Sequence, residues 1–151
     1  MKRNPKDIVF VSIQLVLFVI YLFRISPIDF VIIGWIKSIG LMLAVGGCIV
    51  LIAALITLNK NLSPFPTPKQ TAELIQTGLY KYIRHPIYTG ILFMALGYGL
   101  YSENTLRLII FVLLIILFKL KATYEEHQLQ IKFSDYAEYK KTSGMFLPKW
   151  G

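Results

Sequence analysis

Two long apolar runs, residues 8–23 and 39–58, constrain this chain more than any other feature. A soluble domain of 151 residues has one small core and cannot hide several apolar stretches of that length. A bilayer can, because lipid solvates an apolar helix on every side. The composition agrees, with 56% apolar residues against roughly 45–50% in soluble domains. We therefore expect an all-α, polytopic membrane protein, a single domain over 1–151, with about four transmembrane helices at 8–23, 36–58, 86–101 and 105–120. A perpendicular span needs roughly 20 apolar residues, about 17–25. The first and third spans are short and must rely on polar flanks, local thinning or burial in the bundle.

The net charge of +8 has a topological rather than a nucleic-acid reading, because the basic residues flank the apolar runs. Four spans put Lys2, Arg3, Lys6, Lys60, Lys69, Lys81, Arg84, Lys119, Lys121, Lys132, Lys140, Lys141 and Lys149 on one side. Only Arg24, Lys37 and Arg107 fall on the other. That thirteen-to-three bias predicts a multi-pass protein with both termini in the cytoplasm. Lys2, Arg3 and Lys6 precede the first run as in a signal peptide, but Arg24-Ile25-Ser26-Pro27 follows it without a small-x-small cleavage pattern. An uncleaved first span is expected. The single cysteine, Cys48, lies inside an apolar run, so neither an intrachain disulfide nor a Cys-rich metal site is expected.

Gly40, Ala44 and Cys48 recur at four-residue intervals in the second span, and Gly90 and Gly97 lie two turns apart in the third. Small residues so spaced let helices approach closely. Between these spans, Pro64, Pro66 and Pro68 favour extended chain. A short helix is expected next, with Thr67 as N-cap, Pro68 at its first position and Gly78 as its stop. Ala72, Leu74 and Ile75 would line its bilayer or bundle face. Beyond residue 120 the pattern turns polar but stays helical. Phe133, Tyr136 and Tyr139 continue at three-residue spacing, until Gly144 and Pro148 end a cytoplasmic helical extension.

Two constellations stand out, both on the expected cytoplasmic side. The first is Gly78-Leu79-Tyr80-Lys81-Tyr82-Ile83-Arg84-His85-Pro86-Ile87-Tyr88-Thr89-Gly90. The second is Glu125-Glu126-His127-Gln128-Leu129, followed by Phe133, Tyr136 and Tyr139. Each residue alone has an ordinary reading. Arg84 anchors a span, Pro86 starts a helix, the tyrosines form an interfacial belt, and the glutamates and His127 face solvent.

Taken together and in order, the two constellations resemble the paired signatures of the isoprenylcysteine carboxyl methyltransferase family and its phospholipid methyltransferase relatives. These are Gly-x-Tyr-x-x-x-Arg-His-Pro-x-Tyr-x-Gly and Glu-Glu-x-x-Leu with Phe-x-x-Tyr-x-x-Tyr. The resemblance covers about 64–148. It implies a pocket for S-adenosylmethionine at the cytoplasmic membrane surface, closed by the C-terminal segment. Residue by residue, it places Tyr80, His85, Pro86, Ile87, Tyr88 and Glu125 on cofactor-contacting positions, with Leu74 and Ile75 in a further contact region. Two positions depart from enzymes that act on prenylated protein. Ala72 stands where they have His, and Lys121 where they have an Arg assigned to substrate and catalysis. The departures bear on the acceptor more than on methyl transfer itself.

The residue types suit that chemistry. A sulfonium is attracted to an aromatic face by about 0.5–2 kcal/mol, and Tyr80 and Tyr88 can supply faces. The donor's ammonium and ribose hydroxyls suit Glu125. Its carboxylate suits Arg84, His85 or the N–H groups of the helix starting at Pro86. Helix phase separates the two glutamates by about 100°. Glu125 recurs with Leu129 and Phe133 on one face, which leaves Glu126 turned toward solvent. Methyl transfer depends on alignment of nucleophile and methyl. A carboxylate acceptor needs no base, whereas an amine or thiol does, and His85 is the nearby group suited to that role. We therefore expect a methyltransferase with Lys121 and His85 as catalytic candidates and no metal, acting on a lipophilic or membrane-accessible acceptor drawn from the bilayer. A phospholipid amine and a small thiol are the alternative acceptors. A non-catalytic membrane scaffold is the alternative of another class.

Overall fold

A computed structural model describes residues 4–23 and 30–149. Lys2, Arg3 and the Arg24-to-Pro27 stretch used in the charge and cleavage arguments lie outside the described residues. Five α-helices follow in order: α1 Pro5–Leu22, α2 Gly34–Leu58, α3 Pro86–Tyr101, α4 Thr105–Lys132 and α5 Tyr136–Thr142. Short 3-10 turns occupy Asn59–Asn61 and Gly78–Lys81. Among the described residues, the β pairing is limited to one isolated bridge between Ile83 and Gly144.

Local chemistry sets the helix starts. Asn4 caps α1 by accepting the Lys6 amide at 3.1 Å, and Pro5 fills the first position, where no N–H is needed. Pro86 opens α3 in the same way. Asn104 caps α4 by accepting the Arg107 amide at 3.0 Å. The chain then runs up and down. The start of α1, the end of α2, the start of α3 and the second half of α4 meet at one end of the bundle. The α3–α4 turn and the start of α2 meet at the other.

α2 and α3 form the tightest pair. A Cβ on Gly47 would sit 2.7 Å from the Gly90 carbonyl oxygen and the Met94 amide. One on Gly40 would sit 2.8 Å from the Gly97 carbonyl oxygen. The small-residue seam thus runs through Gly40, Ala44 and Gly47 against Gly90 and Gly97, with Gly47 rather than Cys48 at the closest approach. A second cluster joins α1, α3 and α4 through Leu17, Leu92, Ala95, Ile110, Leu114, Leu117 and Phe118. The outward faces are apolar too, with Val16 and Val19 on α1, Met42, Ile49 and Ile56 on α2, and Val112 and Ile116 on α4 all exposed. Such faces are a liability in water and suit lipid. α1, and α2 with its following turn, are long and apolar enough to cross a membrane. α3 is apolar but only 16 residues long.

Two expectations about elements fail. The helix expected from Thr67 to Gly78 does not form, and residues 68–77 run irregularly. Their backbone groups find partners elsewhere. The Asn61 side chain accepts the Glu73 amide and donates to the Glu73 carbonyl, while Lys132 Nζ donates to the carbonyls of Lys69 and Gln70. A loop fixed from outside has no need of internal helical bonds. Gly78, with φ +57°, starts a 3-10 turn instead of ending a helix. The extension after residue 120 is also not one helix. α4 stops at Lys132, Phe133 is extended, and α5 is a separate short helix that buries Tyr136 and Tyr139. Ser134 and Asp135, residue types that disfavour helix interiors, occupy the break, and the Ser134 hydroxyl donates to Asp135 Oδ1 at 2.9 Å.

Candidate active site

At the end of the bundle where the two constellations meet lies a cavity of about 330 Å³. That is within the roughly 300–1,000 Å³ range of small-molecule pockets. Most of its lining comes from the stretch 61–75, the 3-10 turn with the start of α3, the second half of α4, and α5, with Gln14 of α1 and Leu58 of α2 added. Leu74, Ile75, Tyr80, Arg84, His85, Ile87, Tyr88, Lys121 and Glu125 all border it. Pro86 does not; it is buried at the head of α3, where it fixes the path between His85 and Ile87. Ala72 is also at the wall.

Tyr88 is the centre of the aromatic wall. Its ring stacks on His85, with centroids 5.3 Å apart, and on Phe118 at 4.6 Å. Its hydroxyl donates to Glu125 Oε2 at 3.0 Å, and Lys121 Nζ lies 5.5 Å from the ring centroid. Glu125 Oε2 also lies 3.8 Å from His85 Nδ1. Lys121 is buried and donates to Gln14 Oε1 at 2.7 Å and to the Pro64 carbonyl at 3.0 Å. It is therefore no snorkelling surface lysine. Its ammonium is aimed between α1, the proline loop and the aromatic wall.

Behind the wall sits Glu126, which the helix-phase argument turned toward solvent. The structure reverses that, leaving the residue 2% exposed. Arg84 Nε donates to its Oε1 at 2.7 Å, Lys140 Nζ lies 2.8 Å from Oε2, and His85 Nε2 lies 3.4 Å from Oε1. Burial alone would raise the Glu126 carboxyl above the usual range. The hydrogen bonds from His85, Lys140 and Arg84 win and hold it down at about 2. Arg84 further donates through Nη1 to the carbonyls of Ser143 and Lys140. The missed signal was available in α4 itself. Phe118, Ala122 and Glu126 recur four apart, and the first two continue the core face of the apolar run. His127, by contrast, is exposed as expected.

The C-terminal segment packs against the stretch from Tyr80 to Thr89 that borders the cavity. The Arg84 amide donates to the Gly144 carbonyl at 2.8 Å, the His85 amide to the Met145 carbonyl at 3.1 Å, and the Gly144 amide to the Tyr82 carbonyl at 3.0 Å. Thr89 Oγ1 reaches the Phe146 carbonyl at 2.7 Å, and the Tyr139 hydroxyl donates to the Tyr80 carbonyl. Burial raises the hydroxyl pKa of Tyr139 to about 12 and that of Tyr80 further, with the nearby Glu125 charge adding to the second. Gln14, from α1, borders the cavity without having stood out in the sequence. Among the described residues, no group of acidic, His or Cys side chains is placed to hold a metal.

The cavity combines aromatic faces, the carboxylates of Glu73 and Glu125 and the buried Lys121 ammonium, a set suited to an organic cation with polar arms. Its Tyr136 hydroxyl is buried without a hydrogen-bond partner, which leaves polar capacity at the site for a ligand. A sequence profile of the phospholipid methyltransferase family matches residues 35–136. The protein-S-isoprenylcysteine O-methyltransferase of Saccharomyces cerevisiae is 30% identical over 114 residues, 73% of this chain and 48% of that protein. Protein-S-isoprenylcysteine O-methyltransferase B of Arabidopsis thaliana is 29% identical over 109 residues, 70% of this chain and 55% of that protein. The Mus musculus protein-S-isoprenylcysteine O-methyltransferase is 28% identical over 120 residues, 77% of this chain and 42% of that protein. The chain spans about half the length of these curated relatives.

Proposed function

The chain belongs to the phospholipid methyltransferase family, and from that membership we propose that it transfers a methyl group from S-adenosylmethionine to a lipophilic acceptor reached from the membrane. The observation that carries the reading is the shared cavity. Leu74, Ile75, Tyr80, Arg84, His85, Ile87, Tyr88 and Glu125, far apart in sequence, border one space with a stacked aromatic wall and with the Glu125 carboxylate bonded to it through Tyr88.

Bound in this cavity, S-adenosylmethionine would supply an electrophilic methyl on a sulfonium centre. The chain's own residues divide the remaining tasks. Tyr80, Tyr88 and the stacked His85 offer faces for the cation. Glu125, already accepting from Tyr88, takes the donor's ammonium or ribose hydroxyls. Leu74, Ile75 and Ile87 exclude water. Arg84 borders the cavity while bonded to Glu126 and to the C-terminal segment, so it holds His85 and that segment in register. Lys121 faces the acceptor. A fixed ammonium favours an acceptor that is an anion, such as the carboxylate of an isoprenylcysteine, the group named for the relatives, and a carboxylate attacks without a base. With an amine or thiol acceptor, His85 would take the proton.

This reading includes four spans, one domain over 1–151 and a cytoplasmic site. The donor then enters from water and the acceptor from lipid. Titration calorimetry on the detergent-purified chain tests it. Wild type should bind S-adenosylmethionine, and Glu125→Gln should weaken binding by roughly ten- to a hundredfold, since a charge-assisted hydrogen bond contributes about 1.5–3 kcal/mol. Absence of binding by stable wild-type protein would overturn the enzyme in favour of a scaffold. Labelled methyl donor added to membranes with and without the protein identifies the acceptor class.

A further inference from the structure

A second cavity, of about 390 Å³, lies at the opposite end of the bundle, lined by Lys37, Tyr98, Tyr101, Ser102, Glu103 and Arg107. Methyl transfer as proposed above makes no use of it. Its most unusual member is Arg107, whose side chain is 6% exposed. No carboxylate pairs with it among the described residues. Its guanidinium lies instead 4.5 Å from the Tyr98 ring centroid and 5.7 Å from that of Tyr21. Nε donates to the Tyr21 carbonyl at 3.3 Å, and among the described residues no acceptor meets the two terminal nitrogens. The one carboxylate at hand, Glu103, is already engaged. It pairs with Lys37 at 2.8 Å and accepts the Ile32 amide at 2.8 Å. Among the described residues, the cavity therefore holds two cations against one committed anion.

A buried guanidinium without a counterion is costly, and ring faces offset only part of that cost. What remains is a planar pair of N–H donors, the geometry that grips a tetrahedral oxyanion at two points. The charge pattern points the same way. Lys37 and Arg107 are two of the three basic residues that run against the positive bias of the chain, and they converge on this cavity. Its surroundings are amphipathic. Tyr98 and Tyr101 stack with centroids 6.2 Å apart and are about half exposed. Trp35, Ile39 and Ile109 expose apolar side chains on the adjoining turns of α2 and α4.

We infer that this cavity binds a phosphate group, with the Arg107 fork and the Lys37 ammonium as its grips and the tyrosine hydroxyls as additional donors. The two sources of that chemistry are a membrane phospholipid head group, whose chains would lie along α2 and α4, and free phosphate.

Thermal unfolding of the detergent-purified full chain, titrated separately with phosphatidylglycerol, diacylglycerol of the same chains and inorganic phosphate, tests the inference. Phosphatidylglycerol should raise the unfolding midpoint saturably, and diacylglycerol should not. Arg107→Gln should raise the half-saturating concentration at least tenfold and Lys37→Gln several-fold. Glu125→Gln, at the other end, should respond like wild type. Saturable stabilisation by inorganic phosphate with the same dependence on Arg107 supports the site and names the free anion as its source. No saturable effect of either phosphate compound, or an equal effect of diacylglycerol, overturns the site. So does an effect that Glu125→Gln loses as fully as Arg107→Gln. If Arg107→Gln does not fold, Lys37→Gln decides, because Lys37 is 37% exposed. Unchanged half-saturation in that variant overturns the proposal.

Discussion

Glu125 and Glu126 carry the same side chain at adjacent positions of one helix, yet they meet opposite surroundings. Glu125 borders the cavity and is bonded by Tyr88. Glu126 is walled in by Arg84, His85 and Lys140. Neutralising Glu126 would strand the Arg84 guanidinium, itself 7% exposed, and breaking one side of a buried pair costs about 3–5 kcal/mol. Glu126→Gln should therefore lower the thermal midpoint clearly more than Glu125→Gln does. A pH dependence follows. The folded-state value of Glu126, about 2, lies below its ordinary value of 4.5. Its contribution is thus fully present above about pH 4.5 and is lost as pH falls toward 2. Wild type should lose midpoint across that window, and Glu126→Gln should lose less. Equal acid sensitivity would show that other carboxylates dominate. At this scale the motifs made Tyr80, His85, Tyr88 and Glu125 legible, because each is a distinctive residue at fixed spacing. They did not reveal Glu126 as a hub, because its partners Arg84 and Lys140 come from two other segments and no local pattern encodes their meeting.

Helices show the same division between local and non-local information. The start of α3 at Pro86 and of α4 at Thr105 could be read directly, since proline and asparagine punctuate them. The absent helix after Thr67 could not, since Asn61 and Lys132 reach its backbone groups from outside the segment. The α2–α3 seam lies between these cases. Its small residues were visible, but the register that selects Gly47 was not. Gly46 and Gly47 make a direct test. A Cβ on Gly46 meets nothing within 4 Å, whereas one on Gly47 strikes the backbone of Gly90 and Met94 at 2.7 Å. Backbone cannot yield as a flexible side chain does, and overpacking costs about 1–3 kcal/mol or more. Gly47→Val should markedly lower the thermal midpoint in detergent, while Gly46→Val should melt within a few degrees of wild type. Equal melting of the two variants would mean that α2 is rotated from the orientation described.

For the molecule as a whole, the proposed four-span topology is supported by both chain direction and charge. The alternating helices bring Lys6, Lys60, Lys81, Arg84 and Lys132 to the cavity end and leave Lys37 and Arg107 at the other. A bilayer placed around the apolar outer faces would then hold the basic end in the cytoplasm. Length is the one point of tension. α3 has 16 residues, about 24 Å at roughly 1.5 Å per residue, against a hydrocarbon core of about 30 Å. Its close seam with the longer α2 offsets this, since the buried face of α3 needs no lipid contact. Single cysteines introduced at Gln76, Ser102 and Ser134 in a Cys48→Ser background test the arrangement. Gln76 and Ser134 are exposed at the cavity end, and Ser102 is partly exposed at the turn between α3 and α4. In sealed spheroplasts, an impermeant maleimide should label Ser102→Cys from outside. Gln76→Cys and Ser134→Cys should label only after permeabilisation. Labelling of Gln76→Cys and Ser134→Cys from opposite faces would mean that α3 and α4 do not cross as a pair. The cavity, which draws its walls from both sides of that hairpin, could not then exist as described.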